Sequence, residues 1–429
     1  MRMKFNKSSQ LVLVSAASLL AATLVTACSQ FTETLTVDFV YVVSSKAAGT
    51  NNYGNIDVFE INSESGRMRT IPSSPFPSGG RNPVAAVVSA DYGSLFVANQ
   101  YDNTIAQFTI GTDGKLYPYT TVNTPGIYPV AMAATKSDLF VADTYEPLPT
   151  CSTATPCPGA LGVFPLTAAS NTAPATLGSP AVNASVNGTY WPLSLTGAQA
   201  SDVVAPTAVA AVTPSGANGA TYVFASAYDS TANTGYIFGF SVGSNGALTP
   251  LSGSPYAAGE HPSAIAADPT GTYVYVTDFS KAEVLGFSVA KSGASAGSLT
   301  PLTSGNGGSN AFAAGNQPVA IVFNPSYPFA YVANSLDSTV TAYSVSNGKL
   351  TAIAEYATGL QPVAMGIDPS TNRFLFTANF LGNNVSGFIS SPADGTLLVS
   401  QDSPYAADAQ PVAVAAIPHN GTGGGVQPQ

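Results

Sequence analysis

Charged residues are what this sequence has least of. Only 8% of its 429 residues are Asp, Glu, Lys or Arg, against a usual share of about a quarter, and the net charge is -10. Nucleic-acid binding requires clustered Lys and Arg, so we expect no nucleic-acid partner. Hydrophobic residues make up 45% of the chain, which suffices for a large core. We therefore expect a globular protein whose surface consists mainly of Ser, Thr, Asn, Gln and Gly.

The first thirty residues have the pattern of an export signal. A basic start precedes an apolar run over 11–24, about 14 residues, whereas a membrane span needs roughly 20. The following "VTAC" resembles the lipobox of bacterial lipoproteins, which implies removal of residues 1–27, lipidation of Cys28 and a tether over 28–36. The alternative is an ordinary secretory signal followed by a chance cysteine. The lipobox predicts a bacterial cell-envelope protein, periplasmic or at the outer surface, whose membrane contact is the lipid anchor.

Cysteine is scarce as well, with 3 in the chain. Cys151 and Cys157 stand together in "CSTATPC", and an exported protein folds in an oxidising compartment, so we expect them to form a disulfide. No His or third Cys stands near them, which argues against a metal site there. We expect no cofactor.

An internal repeat dominates the chain, as in "QPVAIVFNPSYPFAYVANSLDSTVTAYSV" and "QPVAMGIDPSTNRFLFTANFLGNNVSGFIS". The copies begin at Pro83, Pro129, Pro206, Pro262, Pro318, Pro362 and Pro411. Each full unit contains four short strands separated by turns, and at about 55 residues it matches one blade of a β-propeller. The frequent Pro and Gly residues exclude a helical repeat.

The two ends of the repeat complement each other. Residues 37–82 supply the second, third and fourth strands of a unit that lacks its first strand, and "PVAVAAIP" at 411–418 is a first strand without successors. Because a propeller is a closed ring, pairing of the two pieces removes an open sheet edge. We predict an all-β, seven-bladed β-propeller over 37–419, with four antiparallel strands per blade, as a monomer, and a disordered tail over 420–429.

Alanine recurs two residues after every anchor proline. The seven are Ala85, Ala131, Ala208, Ala264, Ala320, Ala364 and Ala413. Because the first strands crowd around the ring axis, a bulky side chain repeated there would force the blades apart. These alanines therefore indicate packing and not catalysis.

The strand order predicts which residues share one end of the channel, here called the mouth, where the first strands begin and the second strands end. A first ring comprises Asn82, Tyr128, Ala205, His261, Gln317, Gln361 and Gln410. A second, slightly farther out, comprises Asn99, Asp143, Asp278, Asn334 and Asn379. Amides with little fixed charge suit a small neutral ligand such as a sugar, or a peptide. The alternative is turn chemistry, in which Asn and Asp cap strand ends and the residue before a proline is extended.

His261 is the titratable base of the first ring. It stands beside Glu260, with Asp278 at the end of the next strand, so it is the candidate general base, oriented by one of the two carboxylates. The alternative is that His261 only fills the position that Gln occupies in other units. Asp143 and Asp278 offer oxygen ligands to a hard cation such as calcium, but they lie on different units without a dedicated loop, so no metal site is expected.

The third unit is longer than the others. Its "TYEPLPTCSTATPCPGA" follows the second strand, which predicts that the disulfide loop lies at the mouth, where long insertions usually shape binding. The same unit contains Trp191, the one tryptophan of the chain. This side chain is either a surface platform for a carbohydrate or, the favoured alternative, part of a packed plug.

Three stretches carry a family resemblance: "HPSAIAADPTGTYVYVTDF", "QPVAIVFNPSYPFAYVANSLDSTVTAYSV" and "GALTPLSGSPYAAGEHP". They resemble the YVTN-type, lactonase-like seven-bladed propellers, grouped with 6-phosphogluconolactonase and carboxymuconate cyclase, over roughly 37–418. The resemblance implies hydrolysis of a sugar lactone, or the reverse cyclisation, at the axial mouth. The His, Arg and Glu set of the cyclases has no counterpart here. Beyond residue 30 the arginines are Arg67, Arg69, Arg81 and Arg373.

Two functions therefore stay open. The first is a lactonase-like hydrolase acting outside the cytoplasm on a sugar lactone or similar cyclic ester. A phosphorylated substrate is not expected, because cations are scarce and the export signal takes the chain away from cytoplasmic sugar phosphates. The second is a non-catalytic surface propeller that binds a glycan or a protein through the polar mouth.

Overall fold

The all-β class and the seven blades predicted from the repeat are confirmed. The computed structural model describes residues 36–47, 52–170, 173–197 and 202–419. The predicted signal peptide, the Cys28 anchor and the tail at 420–429 lie outside these ranges. Seven antiparallel sheets follow one another along the described chain. No helix in these ranges has the length and apolarity needed to cross a membrane.

Each sheet is one blade, numbered 1 to 7 in chain order, and its strands run from the ring axis outward. The first strands are Ala409–Pro418, Pro83–Val88, Ile127–Ala134, Ala205–Val212, Pro262–Ala267, Pro318–Phe323 and Pro362–Ile367. The second strands are Thr36–Lys46, Ser94–Asn99, Asp138–Tyr145, Tyr222–Asp229, Tyr273–Asp278, Phe329–Asn334 and Phe374–Asn379. The third strands are Tyr53–Asn62, Thr104–Ile110, Ala160–Thr167, Thr234–Val242, Glu283–Val289, Thr339–Ser346 and Asn384–Ser390.

The outermost strand departs from the simple four-strand pattern. It is continuous in blades 2 and 6, as Leu116–Asn123 and Lys349–Ala357. In blades 1, 3, 4, 5 and 7 it forms two pieces: Met68–Thr70 with Phe76–Arg81, Thr176–Leu177 with Tyr190–Pro192, Leu248–Pro250 with Tyr256–Ala257, Leu299–Pro301 with Ala311–Ala313, and Leu397–Val399 with Tyr405–Ala406. In blades 1, 4 and 7 the break contains Pro75, Pro255 or Pro404, which has no N–H to donate to the sheet. Short 3-10 turns lie at Gln100–Asp102 and Asn306–Gly308.

The C-terminal strand closes the ring, as the unfinished repeat predicts. Ala409–Pro418 pairs antiparallel with Thr36–Lys46, and Val40, Tyr41 and Val42 lie opposite Ala416, Ala415 and Val414. Each first strand also contacts the first strands of both neighbouring blades. Blade 1 is therefore built from the two ends of the described chain, and no blade edge is left open at the axis.

The core lies between the blades. Seven clusters of buried apolar side chains fill the seven seams of the described ring. Six of the seven repeated alanines belong to these clusters: Ala85, Ala131, Ala208, Ala264, Ala320 and Ala413. Trp191 packs in the seam between blades 3 and 4 and is only 5% exposed, so the packed alternative is confirmed for this side chain.

Neighbouring blades also interlock through turn glycines. Gly348 ends a turn of blade 6 with φ +79°, and its carbonyl accepts a hydrogen bond from the buried Tyr275 hydroxyl of blade 5 at 3.0 Å. A Cβ at Gly348 would lie 2.7 Å from the ring of Tyr273. Two constraints require glycine at this position: the left-handed backbone and the close approach of the aromatic ring.

We expect Gly348→Ala to lower the free energy of unfolding by about 2–4 kcal/mol, because the clash with Tyr273 adds to the backbone strain. The matched control is Gly293→Ala, where φ is +81° and nothing lies within 4 Å of an added Cβ. The control should cost only about 1 kcal/mol. Urea unfolding of the two variants checks this, and equal losses would mean that the seam contact contributes nothing.

Candidate functional site

The residues before the anchor prolines do line the mouth, but most have an unexpected backbone. Five of the seven have left-handed φ values between 49° and 59°: Asn82, Tyr128, Gln317, Gln361 and Gln410. The expectation of an extended residue before each proline is therefore wrong at these positions. A β-bulge follows these residues, since Pro318 pairs with Asn334 but the next pair is Ala320 with Ala333. The bulge alone does not cause the left-handed backbone, because the same shift occurs in blades 4 and 5, where Ala205 and His261 do not have it.

The bulge turns the carbonyl of the mouth residue toward the end of the second strand. The N–H of Ser335 donates to the Gln317 carbonyl at 2.8 Å, and the N–H of Phe380 donates to the Gln361 carbonyl at 2.8 Å. The same bond joins Gln100 to Asn82 at 3.0 Å. With the backbone fixed in this way, the half-buried side chains project at the mouth.

The second ring lies beneath the mouth and not on its surface. Asn99, Asp143, Asp278, Asn334 and Asn379 are all 0% exposed. Several of them accept hydrogen bonds from the backbone that leads into the first strand of the same blade. The N–H of Gly126 donates to Asp143 at 2.9 Å, that of Glu260 to Asp278 at 2.7 Å, and that of Gly315 to Asn334 at 3.1 Å. In the described chain no three His, Cys, Asp or Glu side chains are grouped to hold a metal ion.

Asp143 is the exceptional member of this ring. Burial raises the pKa of its carboxyl to about 7, and its Oδ1 has no hydrogen-bond partner in the described structure. Asn99, Asn334 and Asn379 occupy the same position in other blades as neutral amides. Blade 3 thus carries an ionisable group where three other blades carry none.

His261 lies at the mouth between two aromatic rings. Its imidazole stacks on Tyr228 with centroids 4.0 Å apart and 11° between the planes, and it contacts Phe279 at 5.2 Å and 50°. Burial lowers the pKa of His261, an effect that the nearby Asp278 carboxylate partly opposes. The neutral imidazole, the form able to accept a proton, therefore predominates at pH 7.

The two carboxylates predicted to orient His261 have other partners. Glu260 forms an ion pair with Lys281 at 2.6 Å, and the Lys281 hydrogen bond lowers the pKa of this carboxyl. Asp278 accepts the backbone N–H groups of Glu260 and His261 at 2.7 and 3.2 Å. In the described structure neither carboxylate hydrogen-bonds to the imidazole. The three residues are adjacent but do not form a relay.

The amides of the mouth differ in whether they are available to a ligand. Asn82 donates to the Gln100 side chain at 2.9 Å, and Gln410 accepts from the Ser45 hydroxyl at 3.1 Å. The side-chain amides of Gln317 and Gln361 have no hydrogen-bond partner among the described residues. The free amides thus belong to blades 6 and 7, the two blades that follow blade 5, which carries His261.

Blade 3 contributes aromatic side chains and a long loop to the mouth. Tyr128 meets Tyr145 edge-on with ring centroids 6.1 Å apart. The loop that follows Tyr145 contains the predicted Cys151–Cys157 disulfide, which is confirmed, with a Cα–Cα distance of 5.4 Å. Because this loop joins a second strand to a third strand, it starts and ends at the mouth.

A cavity of about 350 Å³ opens at the mouth between blades 5 and 6. It is lined by Phe279, Ser280, Ala282, Asn316, Gln317 and Leu336. Two other hollows, a smaller one of about 280 Å³ at the outer edge of blades 1 and 2 and a larger one of about 510 Å³ at the opposite end of blades 5 and 6, contain no histidine. The mouth cavity is the one that shares a residue, Phe279, with the surroundings of His261.

Sequence reasoning missed Tyr228, Phe279 and Leu336. Tyr228 directly follows Ala227, which pairs with Pro206 and so occupies the second-ring position of blade 4. Phe279 directly follows the second-ring residue Asp278. The repeat could have indicated all three residues, because the segments that follow the second strands surround the same mouth.

This architecture, seven blades around a polar mouth, defines a class of β-propellers, and the family model "Lactonase, 7-bladed beta-propeller" matches residues 36–146 and 290–415. The chain belongs to this family. His261 and the disulfide loop lie outside the matched residues, so family membership does not assign a role to them. No curated protein sequence matches the chain significantly.

Solved structures are similar over most of the chain. A Bacteroides uniformis protein, assigned provisionally as a 6-phosphogluconolactonase, is 19% identical with a TM-score of 0.66, over 89% of this chain and 100% of that one. The Pseudomonas aeruginosa periplasmic gluconolactonase PpgL is 18% identical with a TM-score of 0.63, over 89% and 99%. A Lactobacillus plantarum protein is 17% identical with a TM-score of 0.63, over 89% and 100%. At these identities the similarity establishes the fold alone.

The buried carboxyl of Asp143 generates a prediction about stability and pH. Because its folded pKa of about 7 exceeds the ordinary 3.8, its ionisation opposes folding, and its contribution to stability is lost as pH rises from about 4 to 7. We expect Asp143→Asn to be more stable relative to wild type at pH 8 than at pH 4, by about 2–4 kcal/mol. Denaturant unfolding at both pH values measures this difference.

The control for Asp143 is the exposed Asp394, whose carboxyl pKa is lowered by hydrogen bonds from Ser391 and Thr396. Asp394→Asn should show the opposite sign, with any loss of stability larger at pH 8 than at pH 4. If the effect of Asp143→Asn were the same at both pH values, the carboxyl would not be held protonated in the fold.

Proposed function

We propose that this protein hydrolyses an uncharged sugar lactone or a similar cyclic ester at the propeller mouth. The observation that carries the proposal is the neutral imidazole of His261, held between Tyr228 and Phe279. The free amides of Gln317 and Gln361 lie on the two following blades. A base and hydrogen-bond donors at one opening are the parts that lactone hydrolysis requires.

In this proposal His261 accepts a proton from a water molecule as the water oxygen attacks the lactone carbonyl carbon. The amide N–H groups of Gln317 or Gln361 donate to the carbonyl oxygen as it becomes negatively charged. The bond from the carbonyl carbon to the ring oxygen then breaks, and the imidazolium returns the proton to the departing oxygen. The product is the open-chain hydroxy acid.

The charges around the mouth favour a neutral substrate. Arg81 pairs with Asp102 at 2.5 Å, and Lys281 pairs with Glu260 at 2.6 Å. Lys46, the exposed last residue of the second strand of blade 1, has no ion pair among the described residues, but a phosphate site usually adds the bidentate geometry of an arginine. Hydroxyl groups need only donors and acceptors such as the side-chain amides.

A second candidate is binding without catalysis, with a neutral glycan or a protein as the ligand. It is favoured by the arrangement at His261, because neither Glu260 nor Asp278 hydrogen-bonds to the imidazole in the described structure. An imidazole that no carboxylate orients can equally well form an aromatic wall of a binding site, without accepting a proton.

We also propose that the protein is exported and attached to the bacterial cell envelope through a lipid on Cys28. The "VTAC" pattern supports this, as does the Cys151–Cys157 disulfide, because disulfides persist in oxidising compartments.

Lipid attachment is tested by fractionation. Cys28→Ala should move the protein from the membrane fraction to the soluble envelope fraction, because a buried acyl chain supplies about 0.8 kcal/mol for each CH₂ group. A radioactive fatty acid should label the wild-type protein and not the Cys28→Ala variant. An unlabelled wild-type protein would contradict the lipoprotein interpretation and leave an ordinary secretory signal.

Catalysis is tested with His261→Gln, which places at this position the residue that blades 1, 6 and 7 carry. A pH-stat assay on aldonolactones should show kcat reduced by about 10²–10⁴-fold, because the general base is lost. The wild-type kcat should rise with pH around a midpoint below the ordinary 6.5, because burial lowers the pKa of His261. The control is His419→Gln, the other histidine, which stacks on Phe39 at the far end of blade 1.

The outcomes separate the two functions. Wild-type turnover no faster than buffer, with saturable binding of a neutral sugar, would support the binding protein and overturn the hydrolase. Turnover that persists in His261→Gln would keep the hydrolase but remove His261 from its mechanism.

A further inference from the structure

Three exposed leucines stand on the mouth side of blades 6 and 7. Leu336, Leu360 and Leu381, here called the leucine collar, are 64%, 62% and 61% exposed. A single exposed leucine is ordinary on a protein surface. A group of them beside a polar opening is not, because contiguous exposed apolar surface usually marks an interaction site.

Backbone hydrogen bonds hold the collar together. The N–H of Gly382, next to Leu381, donates to the Leu360 carbonyl at 3.1 Å. The N–H of Gln361, next to Leu360, donates to the Ser338 hydroxyl at 3.2 Å, two residues from Leu336. The segments that carry the three leucines are therefore joined to one another, and Leu360 directly precedes Gln361 with its free amide.

The collar continues into the mouth cavity of about 350 Å³. Leu336, Phe279 and Ala282 form its apolar lining, and Gln317 supplies a free amide on the polar side. Phe279 also contacts His261. The acidic neighbour Asp337 is held by the backbone and side chain of Asn316, at 2.6 and 2.9 Å. Apolar side chains thus lie between the imidazole and the collar, beside the polar Ser280, Asn316 and Gln317 that complete the cavity wall.

We propose that the leucine collar and this cavity bind an alkyl or acyl chain carried by the substrate. The inference rests on the proposed function and narrows its substrate class to lactones that bear such a chain. The lactone ring lies by His261 and the amides, and the chain passes over Phe279 to Leu336 and Leu360. The cavity is concave and within the roughly 300–1,000 Å³ of small-ligand sites, which favours a ligand chain over a flat protein surface.

The test uses binding of ligands that resist hydrolysis. Calorimetry on the full-length protein with 5-alkyl-2-pyrrolidinones, from methyl to hexyl, should show Kd falling about two- to threefold for each added CH₂, since a fully buried CH₂ is worth about fourfold. In the double variant Leu336→Asn, Leu360→Asn this dependence on chain length should disappear. The matched control is Leu398→Asn, 67% exposed on the outermost strand of blade 7, which should keep it.

Several results would overturn the inference: a wild-type Kd independent of chain length, a dependence that survives in the double variant, or an equal loss in Leu398→Asn. A wild-type dimer that the double variant converts to a monomer would assign the collar to an interface between two copies instead. The two proposals fail separately. Chain-dependent lactam binding without lactone turnover removes only the hydrolase, and turnover of lactones regardless of chain length removes only the collar.

Discussion

The pairing of Ala409–Pro418 with Thr36–Lys46 is the interaction on which the rest of the structure depends. It joins the two ends of the described chain in one sheet, so the seventh seam of apolar side chains is formed between blades 7 and 1. Every other first strand is held on both sides by its neighbours. The closed ring is what brings residues from distant parts of the sequence to one mouth.

Two sets of residues that recur from blade to blade shape the mouth. One set lies at the surface and the other is buried beneath it. At the start of most repeats a residue with a left-handed backbone, such as Gln317 or Gln361, precedes a β-bulge and lies at the surface. Buried Asn or Asp side chains beneath them, such as Asn334, fasten the incoming backbone. The buried set supplies rigidity and the surface set supplies free hydrogen-bonding groups, a division that suits ligand recognition.

The candidate site, like the sequence as a whole, contains few charged side chains. Arg81 and Lys281 at the mouth are each paired with a carboxylate, and His261 is kept neutral by burial between aromatic rings. Asp143, one of the carboxyl groups whose pKa burial raises strongly, lies fully buried below the mouth. Apart from the exposed Lys46 of blade 1, the groups left to the mouth are mainly amides, an imidazole and apolar side chains, which agrees with the proposed neutral and partly apolar ligand.

The blade count, the closing strand and the positions before the prolines could be predicted from the sequence, because they follow from a repeat and its period. The disulfide could be predicted because its two cysteines are near each other in a chain with the pattern of an export signal. The tertiary structure decided how those residues are used. It buried the second ring, paired Glu260 away from His261, and brought Tyr228, Phe279 and Leu336 to the mouth from different blades. Such contacts depend on strand length and on packing between blades, and a one-dimensional pattern carries neither.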